Sequence, residues 1–371
     1  MSSHADNAGA VVLGGFSGTE LPEEQRRALA AGRRAGFILF RRNLTDVQQA
    51  IELTTAITRA APRGASPPLI ALDQEGGRVR RLGAPLLELP PMRALGSLPA
   101  GELTDLAQAV GAELAACGFN LDFAPVLDVD SNPDNPVIGD RAFASTASVV
   151  ARAGVAFAQG LALGGVHPVG KHFPGHGDTR SDSHFTLPYL ASSRERLDAL
   201  ELTPFRAAIA AQLPCLMTAH VVFQALDRAR PATLSPHIIT GLLREELGYR
   251  GAVFSDCLEM EAIAREGEVA EAAVAAVAAG VDVVLICHRF DRQEAAVEAL
   301  TRRAERDGAF ATRLAKAADR SRGLAKARPP QPDLEALNTL LRAHQPLQAS
   351  LERYTSAQHP AMTTERDPTE R

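Results

Sequence analysis

Fourteen consecutive residues, Lys171 to His184, read Lys-His-Phe-Pro-Gly-His-Gly-Asp-Thr-Arg-Ser-Asp-Ser-His and carry three histidines, two aspartates, one lysine and one arginine. Imidazoles exchange protons near neutral pH, and a neighbouring carboxylate can fix their tautomer and favour the protonated ring. Asp182 and His184 flank Ser183, so in an extended loop both point to the same side. Further along, the run Gly251-Ala-Val-Phe-Ser-Asp256 ends an apolar, strand-like segment in a carboxylate. A rigidly held carboxylate and an Asp-His pair are the parts needed for group transfer, one attacking an electrophilic carbon and the other moving a proton. On the residues alone, Asp256 equally suits a cap for the following helix, and Asp182 with His184 a plain loop ion pair.

Pro174, Gly175 and Gly177 prevent a regular helix through the signature, which places it in a loop after the strand-like Val166-His-Pro-Val169. Near-continuous apolar runs recur at Ala10–Gly15, Gly36–Phe40, Leu69–Asp73, Leu121–Val126, Gly165–Gly170, Cys215–Ala219, Gly251–Ser255 and Val281–Cys287. They read as strands buried on both faces, separated by helical patterns. Leu103, Leu106, Val110 and Leu114 fit one helix ending near Gly118; Ser192 with Glu195 suggests a capping box before Leu197; Glu268–Ala279 reads as an alanine-rich helix stopped by Gly280. Eight strand-helix repeats predict a single-domain (β/α)8 barrel over residues 1–326, with a doubly wound open sheet as the alternative. The barrel is favoured because Asp73-Gln-Glu75, Asp128, Lys171-His172, His220, Asp256 and His288 all follow strands, and a barrel gathers such ends on one face. Residues 327–371 are expected to hold an amphipathic helix, Leu334–Leu347, and a polar disordered tail from Ser356.

The chain has 371 residues, 46% of them hydrophobic and 22% charged, with a net charge of -5. That balance offers no basic surface for nucleic acid or anionic membrane. No apolar run reaches the length of a spanning helix, and the first residues lack a basic signal-peptide region. Cys117, Cys215, Cys257 and Cys287 are widely spaced, which suits reduced thiols and a cytoplasmic location rather than a zinc knot or disulfide framework.

The pattern Lys171-His-Phe-Pro-Gly-His-Gly177, four residues, then Asp182-Ser-His184 resembles the glycoside hydrolase family 3 β-N-acetylglucosaminidases, and the resemblance extends over about Val11–Leu324. It implies a retaining exo-enzyme that removes terminal GlcNAc from muropeptides in peptidoglycan recycling. It further implies Asp256 as nucleophile and His184, paired with Asp182, as acid/base. Asp73, Arg81, Arg141, Lys171 and His172 would hold the sugar, with no metal or cofactor and a monomeric chain. Arg78 and Arg80 read as a solvated basic run, and His176, His220 and His288 as supporting or core residues. A phosphorylase of the same family, a metal barrel using His172, His176, Asp182, His184 and His220, and a non-catalytic glycan binder are the competing readings. Two features depart from the pattern: Cys257 follows the carboxylate where similar enzymes often carry an acid, and the C-terminal tail has no counterpart in them; His288, separately, stands where a less specific polar residue is expected.

Overall fold

The computed structural model describes residues 2–62, 64–179, 187–264 and 268–356. Among these, eight parallel strands close a barrel: β1 (Val12–Gly14), β2 (Gly36–Ile38), β3 (Leu69–Leu72), β4 (Leu121–Asp122), β5 (His167–Phe173), β6 (Cys215–Thr218), β7 (Ala252–Cys257) and β8 (Val283–Ile286). They lie in sequence order around the ring, with β8 hydrogen-bonded back to β1. The architecture is the expected (β/α)8 barrel and not the open sheet. A small parallel pair, Tyr189–Leu190 with Val222–Phe223, sits outside the ring.

Side chains alternate across each strand, so one series fills the lumen and the other faces the helices. Leu13, Ile38, Leu69, Ala71, Leu121, Phe123, Val169, Cys215, Met217, Ala252, Phe254, Val283 and Leu285 form one cluster inside the barrel. Phe123 and Phe254 meet edge to face at 5.8 Å in its middle. The floor is closed by the end of the helix Gly308–Ala327: Leu324 and Ala325 join the lumen cluster, and the Leu324 carbonyl lies 3.0 Å from His167 Nε2.

Two strands run further than their apolar runs suggest. β5 continues through Lys171 and His172, because Lys171 N–H and C=O bond Pro125 O and Leu127 N, and Phe173 O accepts from Ala219 N. β7 extends to Cys257, so Asp256 lies within a strand. The predicted capping box is displaced by one residue. Ser192 Oγ donates to Asp178 at 3.0 Å, and Ser193 accepts from Arg196 N–H as the true cap of Arg194–Ala199.

Ala147–Gly164 is long and apolar enough to cross a bilayer by composition. Here Val150, Phe157 and Leu161 are buried as it packs on Ala100–Ala116 and Leu202–Ala210. The C-terminal helix runs Leu334–Ser356, past the expected end at Leu347 and through Pro346. Its extra turns bury Leu351, and its His344 Nδ1 lies 2.7 Å from the buried Glu113 of Ala100–Ala116. The tail expected beyond Ser356 falls outside the described residues.

Phe123 is fully buried and fills the lumen from one side. Phe123→Ala is expected to lower stability by roughly 3–5 kcal/mol in denaturant unfolding. Leu163→Ala, at a position 65% exposed, should change it by no more than about 0.5 kcal/mol.

Candidate active site

Continuing the inward series of β3, β5 and β7 by two residues each time leads from Leu69 and Ala71 to Asp73, from Val169 to Lys171, and from Phe254 to Asp256. These polar side chains therefore begin where the apolar lumen ends, at the carboxyl ends of the strands, the face on which barrels build their sites. β3 and β7 are four strands apart in a ring of eight, so Asp73 and Asp256 stand on opposite walls.

One wall carries a compact charge network. Lys171 Nζ lies 2.8 Å from Asp73 Oδ1 and 2.5 Å from Glu75 Oε1. Arg81 Nη2 reaches Asp73 Oδ2 at 3.1 Å, and Arg141 binds Glu75 through two parallel bonds of 2.8 Å. All five residues are buried. Burial alone would push the Glu75 carboxyl up, but Arg141 and Lys171 outweigh it and hold the group below its usual range. Burial likewise opposes the Lys171 charge, and Asp73 and Glu75 overcome it. Asp122, on the outward series of β4, has no such cation in contact among the described residues. Burial raises it to about 7, with the Gln74 N–H bond and Lys171 offsetting only part of the cost.

The adjoining wall is organised by Asp128. Its Oδ2 lies 2.7 Å from His172 Nδ1, which places a hydrogen on that nitrogen, and its Oδ1 accepts the His176 N–H at 2.7 Å. Burial works against the Asp128 charge, and His172 and His176 prevail, keeping it low. His176 packs edge to face on His172, and burial, then the His172 charge, push its own pKa down to about 4. Asn135 Nδ2 donates to the carbonyls of His176 and Gly177, and Asn132 Nδ2 to that of Thr179. The stem of the signature loop is thus fastened to the segment after β4. On the far side Asp178 accepts from Ser192 and pairs with Arg196 at 3.1 Å, tying the stem to the returning chain.

The five expected binding residues, Asp73, Arg81, Arg141, Lys171 and His172, all reach this rim. Arg81 is enclosed, whereas Arg78 and Arg80 turn outward to Asp140 and Glu88. Asp256 is half-buried at the end of β7, and its Oδ1 accepts the Cys257 N–H at 2.7 Å. Asp182 and His184 lie outside the described residues. His220 is held between Thr233 Oγ1 and the Cys257 carbonyl, and His288 stacks on Phe40. Glu75 and Asp128 had been given no individual role. Glu75 was legible, being the next inward position after Asp73; Asp128 was not, because its partners come from across a loop.

A (β/α)8 barrel with a buried charge network opposite a strand-borne carboxylate is an architecture that carries carbohydrate hydrolases. Residues 11–319 match the family described as Glycosyl hydrolase family 3 N terminal domain, and the chain belongs to that family as a glycoside hydrolase. A β-hexosaminidase from Alkalilimnicola ehrlichii is 44% identical over 284 residues, covering 74% of this chain and 79% of the relative. A solved family 3 β-N-acetylglucosaminidase from Paenibacillus sp. superposes with a TM-score of 0.86 at 40% identity, over 92% of this chain and 68% of that one. NagZ from Neisseria gonorrhoeae in complex with N-trifluoroacetyl-D-glucosamine superposes with a TM-score of 0.69 at 33% identity, covering 85% of this chain and 98% of that one.

Glu75→Gln would leave the buried Arg141 facing an uncharged side chain and Lys171 with Asp73 alone, and a loss of roughly 3–5 kcal/mol is expected. A carboxyl held below its unfolded value contributes fully above its ordinary 4.5 and is lost as acid titrates it in the folded state. The destabilisation by Glu75→Gln should therefore shrink as pH falls below about 4.5, measured by urea unfolding across pH.

Proposed function

We propose that the protein is a retaining exo-β-N-acetylglucosaminidase that releases terminal GlcNAc from muropeptides of the GlcNAc-anhydroMurNAc type, in cytoplasmic peptidoglycan recycling and as a monomer. The observation that carries this reading is the placement of the Asp256 carboxylate across the barrel mouth from the Asp73–Lys171–Arg81 network. A pyranose in that gap would present paired hydroxyls to one wall and its anomeric carbon to the other. Family membership and the β-hexosaminidases among the relatives support the sugar and the linkage.

In this reading Asp73, Arg81, Arg141, Lys171 and His172 bind the terminal sugar. Asp256 attacks C1 as the glycosidic oxygen takes a proton from the His184 imidazolium, which Asp182 keeps charged and oriented. The departing aglycone leaves a glycosyl ester on Asp256. His184, now neutral, removes a proton from water, which attacks C1 from the opposite face and restores the original anomeric configuration. The fastening of the loop stem by Asp128, Asn132, Asn135 and Asp178 supports a loop that delivers its acid/base from a fixed base.

Asp256→Asn is expected to abolish turnover while leaving the circular dichroism spectrum unchanged. His184→Ala should slow substrates with poor leaving groups far more than activated aryl glycosides; equal losses on both would remove His184 as the acid. Proton NMR of the first-formed sugar should show the β-anomer, and an initial α-anomer would exclude the double displacement.

A further inference from the structure

Cys257, which departs from the family pattern, and His288, a histidine where a less specific polar residue is expected, meet in space. Cys257 ends β7 and His288 follows β8, and these neighbouring strands place Cys257 Sγ, a Glu259 carboxylate oxygen and a His288 ring nitrogen all within 4.8 Å of one another. We propose that Cys257, Glu259 and His288 form a binding site for a zinc-class divalent cation on the rim beside Asp256.

The donors are of the right kind. A thiolate and an imidazole select zinc or cadmium over magnesium or calcium, and a carboxylate completes a borderline-soft set. They are also held for the purpose. Glu259 Oε2 accepts the His288 N–H at 2.6 Å and Oε1 that of Arg289 at 3.2 Å, which fixes the carboxylate while leaving each oxygen a second lone pair. The His288 ring is kept in plane by stacking on Phe40 at 6.2 Å and 18°, and among the described residues neither ring nitrogen is hydrogen-bonded. Cys287 Sγ neighbours Cys257 Sγ, so a second sulfur stands next to the group. Metal–ligand bonds of about 2.0–2.3 Å require donors roughly 3.5 Å apart, a contraction that small side-chain rotations supply.

The surroundings set the strength. Arg42 donates to the Cys287 carbonyl at 2.7 Å and Arg292 lies 3.6 Å from Glu259, and both guanidiniums oppose a cation. The Cys257 thiolate and Glu259 offset them, which fits reversible micromolar binding rather than a permanent structural metal. Binding forms the metal–sulfur, metal–nitrogen and metal–oxygen bonds and releases the Cys257 thiol proton to solvent. Its effect on turnover follows from the backbone: the Cys257 N–H bonds Asp256 Oδ1 and its carbonyl bonds His220, so a metal pulling on Sγ displaces the peptide that orients Asp256. This inhibitory consequence rests on the proposed role of Asp256; the binding itself does not.

The full chain, reduced and freed of metal by a chelator, is titrated with cadmium chloride alone and followed by thiolate-to-metal ultraviolet absorption. One equivalent should develop the band, zinc should displace it, and Cys257→Ser should abolish it. His288→Asn, which preserves the thiol, should weaken cadmium binding at least about ten-fold. Asp256→Asn should keep the band, since its carboxylate is not a ligand. No band at excess cadmium, a band surviving Cys257→Ser, or one lost in Asp256→Asn would overturn the site. Inhibition of aryl glycoside cleavage by zinc, relieved by chelator and diminished in His288→Asn, reads the second part; its failure with the band intact would indict the role of Asp256 alone.

Discussion

The pairing of opposite charges in a water-poor place governs this molecule. Asp73 and Glu75 face Lys171, Arg81 and Arg141 at the top of an apolar lumen, where an unmatched charge would cost several kcal/mol. Each group is tolerable only because the others are present, and Asp122 shows the alternative: lacking a cation in contact, it is pushed toward its neutral form. Such a network is poor material for stability, since well-packed apolar side chains would serve as well or better. What it offers is a set of donors and acceptors whose directions are fixed before any ligand arrives. That preorganisation suits a sugar, whose adjacent hydroxyls each need a donor and an acceptor at once.

The barrel is what makes the network possible. Its eight strands present their ends at one level, and the two-residue alternation that packs Phe123 against Phe254 also delivers Asp73, Lys171 and Asp256 to the rim. The same register gives each residue one role only. A shift by one along β5 would send Lys171 into the helical layer and bring Gly170, which lies against Leu127 and Leu216, into the lumen.

Much of this was readable in the chain itself. The eight apolar runs gave the ring because parallel strands are buried on both faces, and the rim residues followed from what comes after each run. Boundaries were less legible: β5 runs on through Lys171 and His172 because the segments following β4 and β6 continue to offer backbone partners, which no local pattern reveals. The cap at Ser193 was missed for a similar reason, since only the contact with Asp178 shows that Ser192 is occupied. Asp128 was visible as one of several acids after β4, yet its hold on His172 and His176 arises from a loop meeting a loop. The length of the C-terminal helix depends on Leu351 and His344 finding the surface of Ala100–Ala116, a tertiary effect that overrides Pro346.

The floor of the lumen is supplied late. Leu324 and Ala325, which close it, are encoded after all eight strands, and the Arg328 carbonyl that Asn120 binds at 2.8 Å comes later still. During synthesis the ring must wait as an open-ended apolar tube until that helix has cleared the ribosome. The nascent chain thus leaves apolar lumen surface uncovered from the completion of the last strand until that helix docks, and stalling or truncation shortly before Leu324 should yield a client for chaperones rather than a smaller working domain.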